Sequence, residues 1–314
     1  MKKITKLFLY TIFTVSVIGM TGCSSMAKVA VTKPAEINLK GINKVVMGNI
    51  WGNKGYEMQD AITDKLFASE KYDVVDRATF DRITRQQNFS LGRDIDEVQA
   101  QRVGNVLGTS VMVTGSSSSR FNYKRGKSRY VDRNGIRHVK NTVKAKMELN
   151  TRLRVIELET GRVLGVKKIN KYTSRNTSAI DRWADVPNAN NMAQTLINQT
   201  AIEFMKMIAP YVQYVFVRFE DAVTPDGERG IELAQVGQWS EAVPAFLHET
   251  KSSKVAASWY NLGLSYQYSF RFDEAKKAFR KCLSMELLSG CTQGLRNVDQ
   301  MINDENRLID QGAL

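Results

Sequence analysis

Apolar residues follow two different spacings along the first two thirds of the chain. Apolar positions that recur every three or four residues predict helices, whereas short apolar runs predict strands. The predicted strands are residues 44–50, 72–75, 111–113 and 163–169, and the predicted helices are about 58–67, 80–88, 96–107 and 191–209. Residues 211–219 are expected to add an edge strand. This order predicts an α/β or α+β domain over residues 42–220, in which helices flank a mixed sheet.

The longest strand is expected between Val139 and Val155. Almost every second residue there is apolar, with Asn141 and Thr151 as polar exceptions, and most of the residues between them are charged. Such alternation is typical of a strand with one buried and one exposed face.

Basic residues are concentrated around the start of this strand. Residues 120–146 contain ten lysines and arginines against a single acid, Asp132, which gives a net charge of +9. Asn134-Gly135 is a typical two-residue turn, so residues 116–150 are predicted to form a long basic β-hairpin. The hairpin is either simply solvated or in contact with an anionic surface. The candidate residues for that contact are Arg120, Lys124, Arg125, Lys127, Arg129, Arg133, Arg137 and Lys140.

Residues 1–22 have the composition of an export signal. Three lysines precede a 14-residue, largely apolar run, which is shorter than the ~18 residues of a membrane-spanning helix. The run ends in Met-Thr-Gly-Cys23, which resembles the processing site of bacterial lipoproteins; a short membrane anchor with an incidental cysteine is the alternative. We expect lipid on Cys23 and, because residue 24 is serine, sorting to the outer membrane, facing the periplasm. Residues 23–41 are polar and predict a tether.

Composition and motifs limit the functions to consider. Hydrophobic residues make up 43% of the chain, which is enough for a folded core. The two histidines, His138 and His248, are far apart, and His138 lies among arginines without an obvious carboxylate partner. No metal, cofactor or catalytic motif is expected, which favours a binding protein over an enzyme. Nucleic acid would suit the charge, but an exported lipoprotein would rarely meet it.

From about residue 221 only helical spacing remains, and it repeats after 33 residues. The second copy matches the tetratricopeptide pattern, in which small residues let two helices approach and large ones fill the groove between them. Its packing residues are Trp259, Leu262, Gly263, Tyr266, Ala275 and Phe279; the degenerate first copy keeps Gly230, Trp239, Ala242 and Phe246. We expect an all-α repeat domain over residues 221–314, capped by a helix at 291–309. An unrelated pair of helical hairpins is the alternative.

Two cysteines remain once Cys23 is assigned to lipid. Cys282 is expected in the second helix of the complete repeat, and Cys291 at the start of the next helix. Such helices are neighbours, and an exported protein meets an oxidising compartment, so a disulfide is possible. Two buried free thiols are the alternative.

Four segments between residue 42 and about residue 211 are distinctive: DAITDKL (60–66), YDVVDR (72–77), LGTSVMVTGS (107–116) and LRVIELETGRV (153–163). In these segments the chain resembles the CsgG family, named for the lipoprotein of the curli export channel. The resemblance implies a CsgG-like mixed sheet with flanking helices, in an outer-membrane lipoprotein. Activator lipoproteins of penicillin-binding proteins share this fold.

The resemblance also implies an export channel, and the charge pattern argues against it. Both faces of residues 120–132 carry arginine or lysine, each of which costs ~2–4 kcal/mol at the bilayer midplane. Residues 174–191 are too short for two further spanning strands. The sequence therefore favours a lipid-anchored periplasmic scaffold that forms homo-oligomers and binds an envelope protein or peptide through its repeats. A channel subunit and an activator of a peptidoglycan synthase are the alternatives.

Overall fold

The protein is represented by a computed structural model that describes residues 25–86 and 97–314. The predicted export signal, Cys23 and Ser24 lie outside the described residues, as does the predicted helix start at Asp96. The described chain divides into two compact units, residues 30–213 with 301–314, and residues 25–29 with 214–300.

Strands and helices follow one another in both units. The strands in the described residues are β1 (Met26–Lys33), β2 (Lys44–Trp51), β3 (Asp73–Val75), β4 (Ser110–Val131), β5 (Arg137–Glu157), β6 (Val163–Ile180) and β7 (Tyr211–Arg218). The helices there are α1 (Gly55–Ser69), α2 (Arg77–Gln86), α3 (Glu97–Leu107), α4 (Ala189–Ile208), α5 (Pro225–Gln235), α6 (Trp239–Ser252), α7 (Ala256–Tyr268), α8 (Phe272–Met285) and α9 (Ser289–Asp310).

The first unit contains a mixed five-stranded sheet in the order β3-β2-β4-β5-β6. β2 runs parallel to β3 and β4, whereas β4, β5 and β6 are antiparallel. Successive residues of a strand point to opposite faces, so β2 contributes to two cores. Val45 and Met47 pack with residues of α1 and α4, whereas Val46 packs with Phe80 of α2 and Val103 of α3. Helices therefore flank both faces of the mixed sheet, which confirms the predicted fold class.

Three strands run beyond this core. The odd-numbered residues of β5 from 141 to 155 are buried, which confirms the predicted alternation. In β4, by contrast, residues 122–131 are all exposed. The sequence predicts a two-stranded hairpin here, but β6 extends to Ile180 and pairs with β5 as far as Lys140. The projection is therefore a three-stranded sheet. The sequence did not predict its third strand because the residues after Ile169 are polar, and backbone hydrogen bonds to β5 hold them in place.

β1 and β7 form a separate two-stranded sheet. The predicted tether over residues 23–41 is therefore wrong for Met26–Lys33. Alternation is present there, because Ala27 is buried and Val29 and Val31 are half-buried while the residues between them are exposed. Small apolar residues between lysines gave too weak a signal to indicate a strand.

The second unit is helical from residue 225 to residue 300, and its helices pack as the antiparallel pairs α5–α6 and α7–α8. α5 begins at Pro225: the Thr224 side chain accepts a hydrogen bond from the Gly227 amide, and Pro225 occupies the first turn.

The end of α9 belongs to the first unit, although the sequence predicts that it caps the repeats. Asp304 pairs with Lys33 at 2.8 Å, and Arg307 Nη2 donates to the Ala35 carbonyl at 2.6 Å. The residues from 301 onward therefore interact with the end of β1 and with the chain that follows it. None of the helices in residues 25–86 and 97–314 has the length and apolarity that a membrane crossing requires.

Candidate functional site

The three-stranded projection carries the basic residues predicted to contact an anionic partner. Its register pairs Lys124 with Lys144, Arg125 with Val143 and Ser128 with Lys140. Directly paired residues lie on the same face of a sheet, so the register divides the cations between two faces. The even-numbered cations Arg120, Lys124, Lys140, Lys144 and Lys146 share one face, called here the open face. The odd-numbered cations Arg125, Lys127, Arg129 and Arg137 share the other, called here the covered face, and Arg133 lies in the connecting turn.

The open face is strongly basic. Lys124 and Lys144 are direct cross-strand neighbours, an arrangement of like charges that destabilises a sheet. Glu148 is an acid on this face; it bonds Lys146 at 2.5 Å, and that hydrogen bond lowers the pKa of the Glu148 carboxyl. Lys140 and Lys144 are exposed on the same strand. This face can therefore bind an anion, which would supply the negative charge that neither lysine offers the other.

The covered face is packed against the chain that returns from β6. Ala184 forms a small core with Val143 and Ala179. Trp183 lies beneath two cations, with Lys127 Nζ 4.5 Å and the Arg125 guanidinium carbon 5.3 Å from its ring centre. The eight predicted contact residues therefore do not form one surface, because strand alternation separates them and Trp183 engages two of them.

His138, near the end of the projection, corrects a further prediction. Its Nδ1 lies 2.6 Å from Asp181 Oδ2, and its Nε2 lies 3.4 Å from Asp132 Oδ2. Hydrogen bonding to Asp181, and then to Asp132, raises the pKa of the His138 imidazole. The absence of a carboxylate partner was the wrong expectation, because Asp181 is 43 residues away and only the β5–β6 pairing brings it near.

The helical unit brings the predicted packing residues of the complete repeat together. Leu262, Ala275 and Phe279 are buried, as is Tyr266, while Trp259 is half-buried. A Cβ on Gly263 would lie 2.6 Å from the Phe279 ring, and one on Gly230 would lie 2.9 Å from the Phe246 ring. In both copies glycine therefore lets an aromatic ring of the paired helix approach the backbone.

A segment of the chain itself lies against these helices, which the sequence did not reveal. Phe219 is 4% exposed and stacks on Trp239 and Phe246, at centroid distances of 5.9 and 6.4 Å. The side chain of Asn261 donates to the Glu220 carbonyl at 2.9 Å and accepts from the Glu220 amide at 3.0 Å. The Asn261 side chain thus bonds both the N–H and the C=O of Glu220, as in the recognition of an extended peptide. We call residues 218–220 the docked segment.

Further contacts hold the docked segment and the chain that follows it. The Tyr260 hydroxyl donates to the Arg218 carbonyl at 3.1 Å. The buried Glu249 accepts from the Val223 amide at 2.9 Å, and a Cβ on Gly227 would lie against its carboxylate. Burial raises the pKa of Glu249. Asn261 and Glu249 therefore position the chain that leads into α5.

Cys282 and Cys291 are joined by a disulfide in the structure, with a Cα–Cα distance of 6.3 Å. Both cysteines are fully buried, at the end of α8 and the start of α9. Within the described residues, no group of three or more histidine, cysteine, aspartate or glutamate side chains is arranged to hold a metal ion.

Comparisons with known proteins identify both parts of the chain. A family model described as curli production assembly/transport component CsgG matches residues 27–214, and a tetratricopeptide-repeat model matches residues 256–287. No curated protein matches the chain.

Solved structures of low sequence identity are similar to parts of the chain. The LpoB C-terminal domain from Salmonella enterica is 12% identical, with 41% of this chain and 82% of that chain covered and a TM-score of 0.27. A lipoprotein from Neisseria meningitidis is 16% identical, with 51% and 98% covered and a TM-score of 0.24. The PelC dodecamer from Paraburkholderia phytofirmans is 14% identical, with 58% and 98% covered and a TM-score of 0.24.

Proposed function

Since the chain belongs to the CsgG family and carries a tetratricopeptide repeat, we propose that it is a lipid-anchored scaffold protein of the bacterial envelope. In this proposal, lipid on Cys23 holds the protein to the outer membrane, and the folded units face the periplasm. The protein acts by binding rather than by catalysis, without a cofactor. It associates with further copies of itself and holds an envelope partner.

The observation that carries the proposal is the open face of the projection. Lys124 and Lys144 oppose each other directly, and Lys140 extends the positive charge along β5. Opposed like charges cost stability in the isolated protein, so a bound anionic partner is the state in which they are balanced. We propose that this face binds the acidic surface of a protein partner.

The repeats supply the second contact in the proposal. Phe219 already covers the ring of Trp239, so a partner in trans would bind other surfaces of the repeats. Phe270, in the turn between α7 and α8, is 68% exposed. A large exposed aromatic side chain in a repeat turn is suited to contact with a protein.

In-cell photocrosslinking tests the scaffold function. A photoreactive residue would replace Lys144 on the open face or Phe270 in the repeat turn, and a matched control would replace the exposed Glu159 in the β5–β6 turn. We expect defined protein partners from the first two positions, and we expect the open-face product to be lost when Lys124→Gln and Lys140→Gln are added. Products that never exceed the Glu159 control at either position would overturn the proposal.

Two alternatives give different results with the same material. A channel subunit would purify as ring-shaped oligomers that conduct ions in planar bilayers. A wall-synthase activator would crosslink to a peptidoglycan synthase. Crosslinks to other envelope proteins, without conductance, support the scaffold.

A further inference from the structure

The two-stranded sheet of β1 and β7 has an unusual exposed face. Met26, Tyr214 and Phe216 are 48%, 59% and 71% exposed. Lys28 lies over the Tyr214 ring, with its Nζ 4.2 Å from the ring centre, which puts these two side chains on one face. Strand alternation places Met26 beside Lys28, and Phe216 beside Tyr214, on that same face.

The opposite face of this sheet is the one that the protein buries. Ala27 is 2% exposed and Val217 is 5% exposed. A sheet with one buried face ordinarily turns polar residues to the solvent. Here the second face carries large apolar side chains, which indicates an interaction surface. We call this face, formed by Met26, Lys28, Tyr214, Phe216 and Arg218, the ribbon face.

The charge of the ribbon face is also distinctive. Lys28 and Arg218 are exposed on it, and neither β1 nor β7 contains an acidic residue. Aromatic rings beside basic side chains are the combination that proteins place at the level of lipid headgroups, where the rings reach the acyl boundary and the cations meet phosphates.

The position of the ribbon face in the chain identifies its partner. Met26 follows the proposed anchor, Cys23, by three residues, which span at most about 10 Å when fully extended. The Phe219 amide donates to the Ser25 carbonyl at 3.0 Å, so the chain is already held to the residue after β7 one residue before Met26. Lipid on Cys23 would therefore hold the start of β1 within about 10 Å of the membrane surface.

We propose that the ribbon face lies on the membrane surface, with Tyr214 and Phe216 in the headgroup region and Lys28 and Arg218 against lipid phosphates. This inference rests on the proposed anchoring at Cys23. It assigns the protein a second membrane contact besides the acyl chains, and it fixes which side of the β1–β7 sheet faces the lipid.

Fluorescence quenching in vesicles tests the orientation. Phe216→Cys would be labelled with an environment-sensitive fluorophore under non-reducing conditions, in the lipidated protein reconstituted into vesicles of phosphatidylethanolamine and phosphatidylglycerol. Gln213→Cys is the matched control, since it is exposed on the same strand but points to the other face. We expect nitroxide-labelled lipids to quench the probe at position 216 strongly and the control weakly. Equal quenching at the two positions would overturn the proposal.

A second measurement separates the ribbon face from the anchor. Without lipid, as in a Cys23→Ser variant, the protein should still bind these vesicles weakly. Tyr214→Ser and Phe216→Ser should each reduce that binding by about tenfold, because each removes one buried ring. If mass spectrometry finds no lipid on Cys23, the proposed anchoring is wrong. The vesicle binding of the serine variants then still tests whether the ribbon face binds the membrane. If lipid is present but the serine variants bind unchanged, the ribbon face does not bind the membrane. The same conclusion follows if a photoreactive residue at position 216 crosslinks only to a second copy of the chain.

Discussion

Replacement of Asn261 by alanine would test how the repeats hold the docked segment. The Asn261 side chain is fully buried and makes two hydrogen bonds, at 2.9 and 3.0 Å, to the backbone of Glu220. Each such bond contributes about 1 kcal/mol net, and a backbone group left without a partner costs about 1–3 kcal/mol. Because Glu220 is exposed and water can reach its backbone in part, we expect Asn261→Ala to lower the free energy of unfolding by about 2–3 kcal/mol.

Urea unfolding of the non-lipidated protein, followed by tryptophan fluorescence, would measure the loss as a midpoint lowered by about 1 M. Asn297→Ala is the matched control, because Asn297 on α9 also accepts a side-chain hydrogen bond, from Gln293 at 2.8 Å, but at the surface. It should change the free energy of unfolding by less than about 0.5 kcal/mol. Equal midpoints for the two variants, with equal resistance of residues 214–224 to protease, would refute the idea that Asn261 anchors the docked segment.

Three further changes have definite expected outcomes. Replacing Cys282 and Cys291 by serine should cost about 2–3 kcal/mol, because their disulfide closes a short loop; two free thiols in the denatured, unreduced wild type would contradict this. Phe270→Gly should raise the free energy of unfolding by about 1 kcal/mol, since Phe270 holds a φ of 61° where the first repeat has Gly237 at 83°; a lower melting temperature would count against it. Because burial raises the pKa of Glu249, the folded chain binds that proton more tightly than the unfolded chain. The wild type should therefore gain stability relative to Glu249→Gln as the pH falls from 8 to 5, and a pH-independent difference in urea midpoints would show that the carboxylate is not destabilised by burial.

Features set by local spacing could be predicted from the sequence. The alternation in β5 follows from one face meeting the core and the other meeting water, so it appears directly in the order of residues. The repeat was equally legible, because Gly263 and Phe279 must be small and large at fixed positions for α7 and α8 to pack. The family match over residues 27–214 and the repeat match over 256–287 cover the segments that carry these signals.

Features set by pairing between distant segments could not be predicted. Residues 170–178 of β6 are almost entirely polar, so their own sequence does not predict a strand. They form one because they pair with β5. Asp181 meets His138 only through that pairing. In the same way, Asn261 meets Glu220 across 41 residues, and no spacing rule connects an asparagine in one helix with the backbone before another. β1 was missed for a different reason, since its small apolar residues bury little surface each.

The length of the projection determines how its open face can act at a distance. The cations of that face extend from Lys140, which pairs with Ser128 of β4, to Arg120 of β4. These two positions are eight residues apart along β4, or about 27 Å at ~3.4 Å per residue. The Debye length at physiological ionic strength is about 8 Å, so charges at the two ends are screened from each other. The open face therefore behaves as a row of separate contacts rather than as one large positive charge. A partner must lie along the strand to engage all of it, and a short anion would engage only one or two of its lysines.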